Sequence, residues 1–208
     1  TPINDPCRRE SVYALAIRGG YPQTIQLDCE QRALYFQSYI QSQLLYDLTR
    51  QWDLRRYKDL ASLLQIFAVY SSKPLNIQEI CRKISGNALT VSSYLNALEA
   101  MYLIDELPAW ESKDYKIGSK TPEIFLTDSA LMAHLLNIHT TDDLLSSQEK
   151  MANEGGKLVE TWAYTQLIPE VELHPLWKMH HFRNKNNQEI DFLITDEKNR
   201  KLGIEIKA

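Results

Sequence analysis

The sequence predicts an α+β fold, and three observations carry that prediction. Apolar residues recur at helical spacing from Glu30 to Tyr70, a helix, a turn and a second helix follow from Asn76 onward, and the closing residues from His180 alternate with the period of a strand. Helices come first and the sheet last.

The stretch from Glu30 to Tyr70 holds no Gly or Pro, and Leu60, Leu63, Leu64 and Phe67 repeat at helical spacing. Tyr35, Phe36, Tyr39, Tyr46, Trp52 and Tyr57 read as the packing residues of a helical lead-in over residues 1–58. Lys73-Pro74 ends that stretch, Asn76 is placed to cap a short helix through Ile84, and Ser85-Gly86-Asn87 makes a turn. In the next helix Val91, Leu95, Leu98 and Tyr102 share one face, leaving Thr90, Ser93, Asn96 and Ala97 on another. An extended segment from Tyr102 to Trp110, a polar connection from Glu111 to Thr121 and a partner strand from Glu123 to Leu126 complete the plan of a winged helix-turn-helix over residues 59–140. Asp128 to Ile138 reads as a helix and Thr140 to Ser147 as a polar linker, so a boundary is expected near 140–150, before a last domain over 150–208.

If the second helix of that module entered a DNA major groove, Thr90, Ser92, Ser93 and Asn96 would face the bases, Asn being able to pair with adenine. Phosphate contacts would then have to come from the wing, where Lys113, Lys116 and Lys120 stand. Six basic and six acidic residues balance between Ser71 and Lys120, so no basic stripe is visible. A protein-docking or packing role for the same module competes with DNA reading.

The chemistry gathers near the end. Leu158, Thr161, Trp162 and Thr165 fit an amphipathic helix after a break at Gly155-Gly156, and that helix carries Glu160. Ile190, Phe192 and Ile194, then Leu202, Ile204 and Ile206, alternate in two strands around the polar residues Thr195 to Arg200. Glu205 and Lys207 therefore share a face. A loop centred on Lys198, such as Glu197-Lys198-Asn199, sets Asp191 opposite Glu205, with about 4.5–5.5 Å between their Cβ atoms. An even-length loop instead pairs Asp191 with Ile204 or Ile206 and turns it from Glu205. Facing carboxylates cost stability unless a cation or a proton separates them. On the metal hypothesis Glu160, Asp191 and Glu205 hold Mg²⁺, while Lys207 orients water or offsets charge on a phosphoryl oxygen. The competing reading is a pair of ordinary surface strands. His174, His180 and His181 lie with Lys178, Arg183 and Lys185 before the hairpin, at spacings that match no zinc motif, and read better as a phosphate-contacting loop beside the acids.

Glu160, Asp191 and Glu205-Ile206-Lys207 resemble the motif of the PD-(D/E)xK nuclease-like superfamily. The chain as a whole resembles the uncharacterised carboxy-terminal region that follows the ATPase module in a large prokaryotic family of AAA+ ATPases. The marks are Gly19-Gly20-Tyr21-Pro22, Tyr39-Ile40, Asp47-Leu48, Thr90 to Glu99, Thr121 to Asp128, and Ile204-Glu205-Ile206-Lys207. The resemblance implies a winged helix followed by a mixed sheet flanked by helices, partial at Ala208. It also implies a nucleotide-binding module upstream in the same polypeptide, so that ATP binds only outside this chain.

A net charge of −4 gives no sign of a broad nucleic-acid-binding surface, and 44% hydrophobic with 24% charged residues is ordinary for a globular protein. No apolar run approaches the roughly 20 residues of a membrane span, and no secretory pattern opens the chain, so a cytoplasmic setting without a membrane partner is expected. Cys7, Cys29 and Cys81 form no Cys-x-x-Cys pair, and no phosphate-cradling Gly-rich loop is present. Two functions follow as expectations. One is a DNA-associated accessory region with a nuclease-like, metal-dependent phosphodiesterase site; the other is a non-catalytic interaction or regulatory scaffold of the ATPase.

Overall fold

The computed structural model describes residues 9–44, 57–84, 86–110, 121–184 and 188–207. Tyr46, Trp52, Lys113, Lys116, Lys120 and Lys185 lie outside that set, as do the side chains of Tyr57 and Leu60.

The fold is α+β, with helices and two three-stranded sheets. Helix α1, Arg9–Arg18, buries Tyr13, Ala16 and Ile17 and ends at Gly19, whose φ of 64° is left-handed. Only glycine fits there, since a Cβ would stand 2.6 Å from that of Ala130. The chain then passes to α2, Cys29–Ser38, where Asp28 and Gln31 form a reciprocal cap. Tyr39–Leu44 continues it as a wider π turn, so the expected helix changes pitch at Tyr39. Tyr21 packs edge-on against Phe36 and Tyr39, which gives the lead-in its aromatic core.

Helix α3, Tyr57–Tyr70, buries Leu63, Leu64 and Phe67 completely, as their spacing demands. A two-residue strand β1, Lys73–Pro74, precedes α4, Ile77–Ile84, and α5, Ala88–Ala100. Asn76 accepts from the Glu79 amide, so the expected cap is in place, and Asn87, expected only as part of a turn, caps α5 by accepting from the Thr90 amide. Val91, Leu95 and Leu98 are buried, but Tyr102 is not on their face: it lies past the helix end at φ 55° and is 81% exposed. Ala97 also departs from expectation, being fully buried. Strands β2, Ile104–Leu107, and β3, Glu123–Leu126, pair antiparallel, and β1 joins the far edge to give the order β1-β3-β2.

Asp128 caps α6, Ser129–Leu135, through the amides of Ala130 and Leu131, and its second oxygen accepts from Gly20. The linker expected from Thr140 to Ser147 contains a helix, α7, Thr141–Leu145. Thr140 and Asp143 cap each other there and Leu144 is fully buried. The expected break at Gly155-Gly156 is absent, for a π turn over Met151–Gly155 runs directly into α8, Gly156–Glu172. An added Cβ at Gly155 would lie 2.7 Å from the Met151 methyl, so that side chain would have to shift, and 3.4 Å from the Tyr13 hydroxyl of α1, an ordinary contact.

Strands β4, Lys178–Arg183, β5, Glu189–Thr195, and β6, Lys201–Ile204, form the second sheet in that order, antiparallel throughout. Phe192 faces Ile204 and Thr195 faces Lys201, a register centred on Lys198. Asn199 takes a left-handed φ of 59°, and Asp196 accepts from the amides of Lys198 and Arg200, so a three-residue connection closes the hairpin. The two sheets meet where Ala109 and His181 form a parallel bridge, with Trp110 N–H donating to His181 and His181 N–H to Pro108. Behind that seam Leu107 and Phe125 pack with Tyr164, Met179, Phe192 and Ile194, and Phe125 stacks on Tyr164 with ring centres 4.4 Å apart. No helix among the described residues is long and apolar enough to cross a membrane.

Candidate functional site: a buried carboxylate cluster at the seam

β5 is where the local sequence departs from simple alternation. His180 pairs with Leu193 and Phe182 with Ile190, so two residues, Asp191 and Phe192, stand opposite the single residue His181. That is a β-bulge, a device that re-aims a side chain. Asp191 is half-buried, and its Oδ2 accepts from Ile206 N–H at 2.6 Å.

Around it the structure gathers acids from separate elements. Glu160 stands in the second turn of α8, Glu189 opens β5 and Glu123 opens β3. Burial, then the charges of Asp191 and Glu189, raise Glu160 to about 7, while Ser72 and Arg183 pull the other way. Ser72 is 8% exposed, at a left-handed φ of 61°, and its Oγ lies close enough to stabilise the Glu160 carboxylate without forming a well-aligned hydrogen bond. Non-glycine residues in this conformation gather at functional sites. Glu123, 7% exposed, is pushed up to about 8 by burial and by the charges of Glu160, Asp191 and Glu189. Asp191 is raised by burial first, with Glu189 and Glu205 adding to the effect and the Ile206 amide opposing it.

Arg183 is the cation among them: it donates to Glu189 at 2.6 Å and lowers Glu123, Glu160 and Asp191 alike. His181 is 1% exposed. Its Nε2 meets the Thr121 carbonyl at 3.0 Å, and its Nδ1 sits 3.6 Å from Glu123 without a hydrogen bond. Burial depresses its pKa, so the neutral ring is the expected form at pH 7.

Of the expected site residues, Glu160 and Asp191 come together. Glu205 does not join them: it follows the end of β6, exposed, and pairs with exposed Lys207 at 3.4 Å. The hairpin register agrees with the expected one, but β6 ends at Ile204, one residue short of pairing Glu205 with Asp191. Glu205 thus touches the cluster only through its charge on Asp191. Lys157 replaces Lys207 as the buried lysine nearby, bonded to Glu154 at 2.7 Å and to the Val69 carbonyl at 3.1 Å. The phosphate loop expected around the histidines is instead part of strand β4, where His180 is half-buried, while His174 lies earlier and stacks on Trp177.

Among the described residues no three His, Cys, Asp or Glu side chains are placed to hold a metal ion together. Glu160 and Asp191 still suit Mg²⁺, which commonly takes one or two carboxylates and completes its shell with water or phosphate oxygens. Their mutual repulsion inside the protein is what such an ion would relieve.

The expected DNA-facing residues divide. Ser93 and Asn96 are exposed on α5, whereas half-buried Thr90 gives its hydroxyl to Asn87 at 3.0 Å. Glu99 at the end of that helix is raised by burial and by the nearby charges of Glu106 and Asp105, so this end of α5 is acidic.

Sequence reasoning missed Glu123 and Ser72, and placed His181 in a phosphate-contacting loop rather than beside Glu123. The signal available was Glu123 as an acid in an otherwise apolar strand, Glu-Ile-Phe-Leu, all four residues of which are buried.

These features define an α+β protein with an acid cluster where its two sheets join. The chain belongs to the family described as domain of unknown function DUF8612, whose model matches residues 9–142, and a second model, domain of unknown function DUF4143, matches residues 155–208. Glu123 falls in the first matched segment and Glu160 and Asp191 in the second. Uncharacterized proteins of Mycobacterium bovis and Mycobacterium tuberculosis are each 25% identical to the chain over 194 residues, covering 93% of it. The chain spans 42% of the length of these relatives. No solved structure matches it.

Proposed function

We propose that this chain is the accessory region of a cytoplasmic, prokaryotic AAA+ ATPase, a winged helix joined to a PD-(D/E)xK nuclease-like sheet that works on or near DNA. The ATPase module would lie upstream in the same polypeptide and would alone bind ATP. The observation that carries the reading is the convergence of Glu160 and Asp191, from helix and strand, on one acidic point with raised pKa values. In support of the winged helix, α3, β1, α4, α5, β2 and β3 follow one another in that module's order.

Glu160 and Asp191 would hold Mg²⁺, which when bound supplies a polarising charge for a phosphodiester and a more acidic water. The protein's own part is to hold Asp191 through the Ile206 amide and to oppose, through that amide and through Ser72, the burial that raises both carboxylates. Calorimetric titration of Mg²⁺ into the wild-type chain and Asp191→Asn tests the site. Binding in the first and at least tenfold weaker binding in the second is expected, and no heat of binding in either would refute it. The second reading, a non-catalytic regulatory scaffold, is favoured by the exposed positions of Glu205 and Lys207. Plasmid cleavage by the wild-type chain in Mg²⁺, abolished in Asp191→Asn, would decide against that scaffold.

A further inference from the structure

The acid cluster needs a positive partner if a phosphodiester is to approach it, and the sequence motif offers Lys207 for that task. The structure points elsewhere. Lys207 is 79% exposed, held 3.4 Å from Glu205, and its charge is not among the leading influences on Glu123, Glu160 or Asp191. Lys157 is nearer but committed, buried between Glu154 and the Val69 carbonyl. Arg183 has neither drawback. It sits at the end of β4, opposite Glu189 at the start of β5, and its side chain is 43% exposed. Its charge reaches the carboxylates of all three buried elements, β3, α8 and β5.

We infer that Arg183, rather than Lys207, is the phosphate-binding cation of this site, with Glu189 as the residue that positions it. This rests on the proposed DNA-associated reading and deepens it. The planar guanidinium carries a fork of donors that matches two phosphate oxygens, which a lysine ammonium does not. One edge donates to Glu189 at 2.6 Å, which fixes the plane, and the part that remains exposed can take the phosphate. The same charge tempers the repulsion among the acids while a polyanion is bound. Without it, a phosphodiester would meet a cluster of carboxylates whose neighbouring Lys157 is already committed to Glu154, an arrangement that repels the ligand.

The test measures the affinity of a fluorescent duplex oligonucleotide by anisotropy, in Mg²⁺ and across a salt series. The wild-type chain is compared with Arg183→Gln, Arg183→Lys and Lys207→Gln. Arg183→Gln is expected to weaken binding at least tenfold at low salt and to reduce the salt slope by about one phosphate contact. Arg183→Lys should fall between it and the wild type, because charge is kept and the fork is lost; it also carries the test if the glutamine variant does not fold. Lys207→Gln should stay within twofold. Arg183 variants binding within twofold of wild type, or a larger loss in Lys207→Gln, would overturn the assignment while leaving DNA association intact. A wild-type chain that binds no duplex even at low salt would overturn both.

Discussion

Glu123 offers the sharpest physical test of the seam, because a carboxylate raised from an ordinary 4.5 to about 8 makes folding depend on pH. The folded state then binds this proton more tightly than the unfolded chain, so stability falls as pH rises from 4.5 toward 8. Each pH unit across that interval is worth about 1.4 kcal/mol, or about 3 kcal/mol lost by pH 7 and about 5 by pH 9. Glu123→Gln keeps the shape and removes the titration. In metal-free buffer with chelator the variant should match wild type near pH 5 and exceed it in stability increasingly up to pH 9. Urea unfolding followed by circular dichroism at pH 5, 7 and 9 reads this as a midpoint that stays flatter in the variant, with an unchanged m value. A variant whose midpoint falls with pH as steeply as that of wild type would refute the burial argument.

Two further substitutions probe the packing that holds the site. Phe192→Ala empties the second core, where the ring is fully buried among Phe125, Tyr164 and Met179, and should cost about 3–5 kcal/mol in urea unfolding. A loss below about 1 kcal/mol would mean the sheet does not pack as described. Asp128→Ala removes acceptors from the amides of Gly20, Ala130 and Leu131 at once and should cost about 2–4 kcal/mol, most of it as a lower thermal midpoint. An unchanged midpoint would show that the Gly19-Gly20 turn and α6 are not joined there.

How much of this was legible in the sequence depends on how local the cause is. Asn76 announced its helix because a cap needs only a side chain and the next turn, whereas Asn87, which caps in the same way, was read only as part of a turn. The hairpin register was legible too, since strand alternation and a loop centred on Lys198 leave little choice. The bulge at Asp191-Phe192 was not, because it is set by β4 on the other side of β5, and neither was the end of β6 at Ile204, one residue short of pairing Glu205 with Asp191. The helix through Gly155 was hidden because a Gly-Gly pair reads as a break, whereas here a π turn carries the chain straight into α8. Tyr102 reads as a core position by spacing alone, yet the helix stops one residue earlier at Met101. Glu123 became visible as a site residue, and His181 as its neighbour, only when β3 and β4 were brought together, for Glu123 carries no motif of its own.

The central claim is that Glu160 and Asp191 share one half-buried acidic point, and site-resolved carboxyl titration by ¹³C NMR measures it directly. Glu160 should titrate near 7 in the wild-type chain and move down toward the ordinary range in Asp191→Asn, where the neighbouring charge is gone. A Glu160 that titrates near 4.5, or one that does not respond to the substitution at Asp191, would contradict the account.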